Sequence, residues 1–124
     1  MVLDASALLA FLNNEAGADQ VLPLLRDAWV STVNHSEVLG KLLQSGMPQE
    51  QANQVLKGLA YRVKPFDHRQ ALRAAVLLPQ TRHLGLSLGD RACLALAQTW
   101  DKPAVTADRA WADADVNVAI RLIR

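Results

Sequence analysis

The 124 residues predict an α/β domain with a central parallel sheet flanked by helices, and three observations carry that expectation. Short runs rich in Val and Leu alternate with longer stretches of helical periodicity, the pattern of βαβ units. Hydrophobic residues make up 51% of the chain against 20% charged, enough for one core without a disulfide or structural metal. No repeat, low-complexity tract or linker interrupts the chain, so residues 1–124 are expected to form a single domain.

The first strand is expected at Val2–Asp4, followed by helices at Ser6–Asn13 and Ala16–Leu25. "WVSTV" gives a second strand at Trp29–Val33 and leads into a helix at Ser36–Gln44. Gly46 and Pro48 then act as a stop and a start, because proline in a first helical turn gives up an N–H that has no partner there anyway. A helix at Pro48–Ala60 completes a helical hairpin. The third strand is expected at Tyr61–Lys64, and a helix at His68–Leu78 should end at Pro79. Next come a helix at Leu88–Thr99, a strand at Pro103–Thr106 and a last strand within Val116–Leu122.

Two of these strands run into aspartate: "MVLD" ends on Asp4 and "AVTAD" on Asp108. Glu37 follows the second strand, and Asp90 opens the helix in "SLGDRACLALA". In an open parallel sheet the helices begin at the edge where the strands leave, and ligands bind at that edge. All four acids are therefore expected on one rim. Each also has a simpler use as a helix cap, since acids are favoured at helix N-termini. Asn34 to Glu37 and Ser87 to Asp90 both have capping-box spacing, and Asp4 and Asp108 could each cap the short helix that follows.

Caps need not converge, whereas this topology draws the four acids together. Two like charges about 4 Å apart repel by roughly 4 kcal/mol at an effective dielectric of 20. Protonation through raised pKa values could relieve that repulsion, but a hard divalent cation such as Mg²⁺ or Mn²⁺ does so better, and no lysine is expected near these acids in sequence as an internal counter-charge. A water held by that cation can be aimed at phosphorus, which points to phosphodiester hydrolysis. Thr106 and Ser87, on the same rim, carry hydroxyls able to position a water or a phosphate oxygen.

The stretches "VLDASALLAFL" with Asp4, "STVNHSEVL" with Glu37, "LSLGDRACLALA" with Asp90 and "AVTADRAW" with Thr106 and Asp108 together resemble the PIN domain family. Within it the chain is most similar to the toxin ribonucleases of bacterial and archaeal toxin–antitoxin pairs, often called VapC. The likeness spans nearly the whole chain and is loosest from about Lys41 to Pro79. It implies a Mg²⁺- or Mn²⁺-dependent endoribonuclease in which Asp4, Glu37, Asp90 and Asp108 gather one or two metals, supported by Thr106 and Asn34. It also implies an RNA substrate, a homodimer and a cognate antitoxin whose C-terminal segment blocks the acidic groove. Asp113 and Asp115 are candidates for an outer metal role.

Net charge is +1, too small for bulk electrostatics alone to hold a nucleic acid. With the four site acids neutralised by metal, thirteen basic residues against eight remaining acids leave +5. Arg91 and Arg109, each directly after a proposed ligand, are candidate RNA contacts, as are Arg82 and His83. His35, His68 and His83 lack paired ligand spacing, which disfavours zinc or a histidine base. Trp29, Trp100 and Trp111 are expected as packing anchors. The apolar faces of "LLAFL" and "ADQVLPLL" offer either core burial or a dimer or antitoxin surface. Cys93 is the only cysteine, expected as a small buried hydrophobe. A cytoplasmic protein is expected, because no basic leader precedes the first strand and no apolar run approaches the roughly 20 residues that span a bilayer.

The alternative is a non-catalytic α/β binding or phosphoacceptor module whose acids only cap helices. A receiver-type phosphoacceptor would want an acidic pair beside its acceptor and a lysine ending a late strand, where this chain has "VTAD". A dehalogenase-type phosphatase would place a second aspartate where Ser6 stands.

Overall fold

The computed structural model describes residues 1–124. Its five strands are β1 (Val2–Leu3), β2 (Trp29–Ser31), β3 (Arg62–Lys64), β4 (Ala104–Thr106) and β5 (Ile120–Leu122). All pair in parallel, in the order β3-β2-β1-β4-β5. The chain steps outward from β1 through β2 to β3, then crosses to the other side of β1 for β4 and β5. The order thus reverses between β1 and β4, and the crevice outside their carboxyl ends is where open α/β sheets hold ligands.

Six α-helices flank the sheet: α1 (Ala5–Leu12), α2 (Ala18–Val21), α3 (Thr32–Gln44), α4 (Gln49–Gly58), α5 (His68–Thr81) and α6 (Leu88–Thr99). Alternation along the central strands supplies two apolar faces. Leu3 and Val105 turn toward a core with Leu8, Val21, Val38 and Leu56, while Val2 and Ala104 turn toward Leu77, Leu94, Leu96 and Trp111. Burying a leucine fully contributes about 1.5–3 kcal/mol, so the six fully buried leucines are a main source of stability.

Several expected boundaries move, each for a local reason. The second strand stops at Ser31, whose hydroxyl accepts from Val33 N–H and caps α3, so the helix starts at Thr32 rather than Ser36. Pro79 lies inside α5 and does not end it. Ala75 and Pro79 are both exposed, so the carbonyl that loses its partner can turn to water. The helix expected at Ala16–Leu25 is one short α-turn followed by a 3₁₀ stretch at Leu22–Asp27, with Pro23 in its first turn. The last strand contracts to Ile120–Leu122, and the α3–α4 hairpin forms as expected.

The apolar faces of "LLAFL" and "ADQVLPLL" mostly enter the core through Ala7, Leu8, Ala10, Val21 and Leu25. Leu22 stays exposed, as do Leu88 and Trp100, and further exposed apolar area lies on α5, where Leu72 is 65% and Val76 52% accessible, beside Arg69 and Arg73 in a shallow groove. Trp111 is fully buried, and Trp29 meets Trp100 edge to face with ring centroids 5.5 Å apart. The ammonium groups of Lys64 and Lys102 lie 4.2 Å and 4.5 Å from the Trp29 ring centroid, so that ring is a cation–π anchor. No helix is long and apolar enough to cross a membrane.

Candidate active site

Asp4 follows β1 at the reversal of strand order and is only 2% exposed. It occupies the N-cap position of α1, yet its carboxylate makes no capping hydrogen bond. Its Oδ2 instead accepts from Ser6 Oγ at 2.7 Å and from Thr106 Oγ1 at 3.0 Å, the latter at the end of neighbouring β4. Burial pushes the Asp4 pKa up to about 6. The two hydroxyls oppose that rise, and the charges of Asp90 and Glu37 add to it.

Glu37 also escapes the capping explanation. With α3 starting at Thr32, Glu37 lies in its second turn, and the expected box with Asn34 does not form. Asn34 is buried and donates its side-chain amide to the Gly89 carbonyl at 3.0 Å, which ties α3 to the first turn of α6. Its Oδ1 is buried without a partner. The pKa of Glu37 is raised by burial and by Asp90, and lowered by Lys41 one helical turn on. Lys41, four residues from Glu37 on α3, thus corrects the expectation that no lysine stands near these acids as a counter-charge.

The other two acids do cap. Asp90 Oδ2 accepts from Ser87 N–H at 2.8 Å while Ser87 Oγ accepts from Asp90 N–H at 3.2 Å, the expected capping box. Even so, burial raises the Asp90 pKa, with a further contribution from Asp108, against hydrogen bonds from Ser87 and the charge of Arg91. Asp108 Oδ1 accepts from Ala110 N–H at 3.0 Å and caps a 3₁₀ turn at Arg109–Asp113. Asp90 is therefore the hub of the cluster: its charge acts on Asp4 and Glu37, and that of Asp108 acts on it.

The structure brings Asp4, Glu37, Asp90, Asp108, Asn34, Ser87 and Thr106 to one rim and leaves other candidates outside it. Arg91 is half-buried and donates through Nη1 to the Ala74 carbonyl on α5 at 2.9 Å, so its expected freedom to meet RNA gives way to a tie between helices. Arg109 is exposed, with Nε 3.3 Å from the Arg124 carbonyl. Asp113, the last residue of the 3₁₀ turn, and Asp115, just beyond it, are both exposed. His35 bonds Tyr61 through Nδ1 at 2.8 Å, and burial lowers its pKa. Cys93 lies fully buried beneath the site. Its thiol is pushed well above its usual pKa by burial and by the charges of Asp4 and Asp90, the opposite of a nucleophile.

Three participants were not singled out from the sequence. Ser6 joins Asp4, Thr106 and Ala107 N–H through one hydroxyl. Gly89 leaves the space that Glu37 fills, and Lys41 partly balances Glu37. A glycine in the first turn of an otherwise strong helix, directly before an acid, was the available signal for Gly89, because helix propensity alone disfavours it there.

By chemistry these oxygens suit a hard divalent cation: partly buried carboxylates that repel one another, beside an unpartnered amide oxygen. As the side chains stand, no three His, Cys, Asp or Glu form a ready cage for one ion.

A five-stranded parallel α/β domain with four acids at its strand-order reversal defines a class of acidic-rim domains. The sequence matches the PIN domain family over residues 1–117, and the chain belongs to that family. No curated protein matches it. Among solved structures it is similar to a toxin–antitoxin complex from Klebsiella pneumoniae, with a TM-score of 0.77 and 17% identity over 99% of this chain and 97% of that one. It is also similar to DNA-bound VapBC from Salmonella typhimurium, with TM-score 0.75 and 14% identity over 99% and 97%. FitAcB from Neisseria gonorrhoeae gives TM-score 0.72 and 19% identity over 98% and 96%. At these identities the likeness is one of fold.

Proposed function

We propose that this protein is the toxin endoribonuclease of a type II toxin–antitoxin system, hydrolysing RNA phosphodiester bonds in the cytoplasm. The observation that carries this is the convergence of acids at the strand-order reversal: Asp4 is 2% exposed and caps nothing, the charges of Asp90 and Glu37 reach it, that of Asp108 reaches Asp90, and only Lys41 and Arg91 partly oppose them. A cluster built that way costs stability unless a cation joins it. Membership of the PIN domain family and the likeness to toxin–antitoxin structures support the same reading.

In this reading Asp4, Glu37, Asp90 and Asp108 hold Mg²⁺ or Mn²⁺, which when bound supplies a water of lowered pKa and neutralises charge developing at phosphorus. Asp90 and Asp108 each commit one oxygen to a cap and keep the other. Thr106, bonded to both Asp4 and the Asp108 amide, holds two of the acids in register, and Asn34 fixes α6 against α3. Ser87 orients Asp90, and Arg109 is the exposed cation nearest the rim in sequence for a phosphate contact. A cognate antitoxin and a second copy of the chain are the proposed protein partners, and the apolar and basic surface of α5 is open to either.

The test is cleavage of structured and single-stranded RNAs by the purified protein with Mg²⁺, with Mn²⁺ and with EDTA, beside Asp4→Ala. Cleavage that requires metal and disappears in the variant is expected. Well-folded protein that cuts no RNA and binds no metal by calorimetry would overturn the nuclease reading in favour of a non-catalytic binding module.

A further inference from the structure

Two hydroxyls converge on a single oxygen of Asp4. Ser6 Oγ at 2.7 Å and Thr106 Oγ1 at 3.0 Å both donate to Oδ2. Each hydroxyl also accepts a backbone amide, Ala107 N–H to Ser6 at 2.9 Å and Asp108 N–H to Thr106 at 3.0 Å, so each proton is left free for the carboxylate. The two hydroxyl oxygens lie 3.0 Å apart, and either could donate to the other. Donation to the carboxylate is charge-assisted and the stronger choice. Asp4 Oδ1 accepts no hydrogen bond, and it is not among the buried polar atoms sealed off without a partner.

We infer that Ser6 is a positioning residue that saturates Oδ2 of Asp4 and leaves Oδ1 as its only oxygen for a divalent cation. This rests on the metal-dependent function proposed above. The same hydroxyl spans 101 residues to bond the turn just before Asp108, so it sets the rotamer of one acid and the backbone carrying another. Outer partners that orient a metal-binding carboxylate commonly affect affinity about 10–100-fold. A hydroxyl that donates to one acid and accepts from the backbone just before another belongs in that range.

The experiment titrates the full-length protein with MnCl₂ by calorimetry without RNA, for wild type, Ser6→Ala, Ser6→Cys and Ser6→Thr, with a thermal melt of each. RNA cleavage is then followed against Mn²⁺ concentration. Ser6→Ala should raise the Mn²⁺ Kd about tenfold or more and shift half-saturating Mn²⁺ by the same factor, with most turnover recovered at saturating metal. Ser6→Cys keeps the volume but weakens the donor and should lose affinity as well, while Ser6→Thr restores it. If Ser6→Ala does not fold, Ser6→Cys carries the comparison. Wild-type Kd in the hydroxyl-lacking variants, with only the melt lowered, overturns the positioning role and leaves the nuclease reading standing. A wild type that binds no Mn²⁺ overturns both.

Discussion

Gly89 and Glu37 occupy one space: a β-carbon at position 89 would stand 2.5 Å from Glu37 Oε1. The nearest backbone-fixed neighbour is not what blocks it. The clash is with the far end of a long side chain, which can swing away at little cost. Gly89→Ala is therefore expected to fold normally and displace the glutamate. Alanine gains up to about 1 kcal/mol of helix propensity over glycine, so stability should hold or rise. Cleavage should fall about 100-fold, the scale of a misplacement of about 1 Å in a catalytic group. A thermal melt beside a cleavage assay checks both halves, and an active Gly89→Ala enzyme would remove Glu37 from the machinery.

Asp4 gives a pH dependence with a definite sign. Its pKa is about 6 in the fold against 3.8 for the free side chain, so the folded state holds the proton more tightly than the unfolded chain. Stability is fully present below about pH 4 and is lost as pH rises through about 6. Raised values at Glu37 and Asp90 act in the same direction. Urea unfolding of metal-free protein at pH 5 and pH 8 should show lower stability at pH 8, and added Mn²⁺ should restore it.

Asp4→Asn removes that buried charge while keeping an acceptor for Ser6 and Thr106. A shift of about 2 pKa units corresponds to roughly 3 kcal/mol, an upper figure for what the metal-free variant gains at pH 8. Higher Tm, no stabilisation by Mn²⁺ and no cleavage are expected together. A lower Tm would show that Asp4 is a structural acid.

Ser87 and Asp90 separate capping from chemistry. Ser87→Ala breaks the box and should cost about 1 kcal/mol. Asp90→Asn can still accept from Ser87 N–H, so its melt should stay near wild type while cleavage is lost. Equal stability losses in the two variants would return Asp90 to a purely structural part.

Arg91 and Arg109 are neighbours of site acids with opposite expected behaviour. Arg91→Ala removes the bond to Ala74 between α5 and α6, and should lower Tm with little change in the salt dependence of RNA binding. Arg109→Ala should leave Tm unchanged, weaken RNA binding and reduce the salt slope by about one. Filter binding at several salt concentrations distinguishes them.

The alternation of Val-rich runs with helical periodicity determined the parallel sheet and its helical layers, because burial on both faces leaves a composition legible without coordinates. The same local pattern placed the Ser87–Asp90 box, since capping is a contact between residues three apart. Four acids in order along the chain were enough to indicate one rim. Which acids are caps was not legible: Asp4 and Asp108 both end strand runs, but only Asp108 bonds a following amide, while Asp4 turns to the hydroxyls of Ser6 in α1 and of Thr106 on β4. Arg91 turned inward, Gly89 made room for Glu37, and Ser6 met Ala107 across the sheet for the same reason. These are pairings between residues 17 to 101 positions apart. Local propensity sets where a helix begins, but a side chain's choice among distant partners is decided only when the sheet order brings them within hydrogen-bond reach.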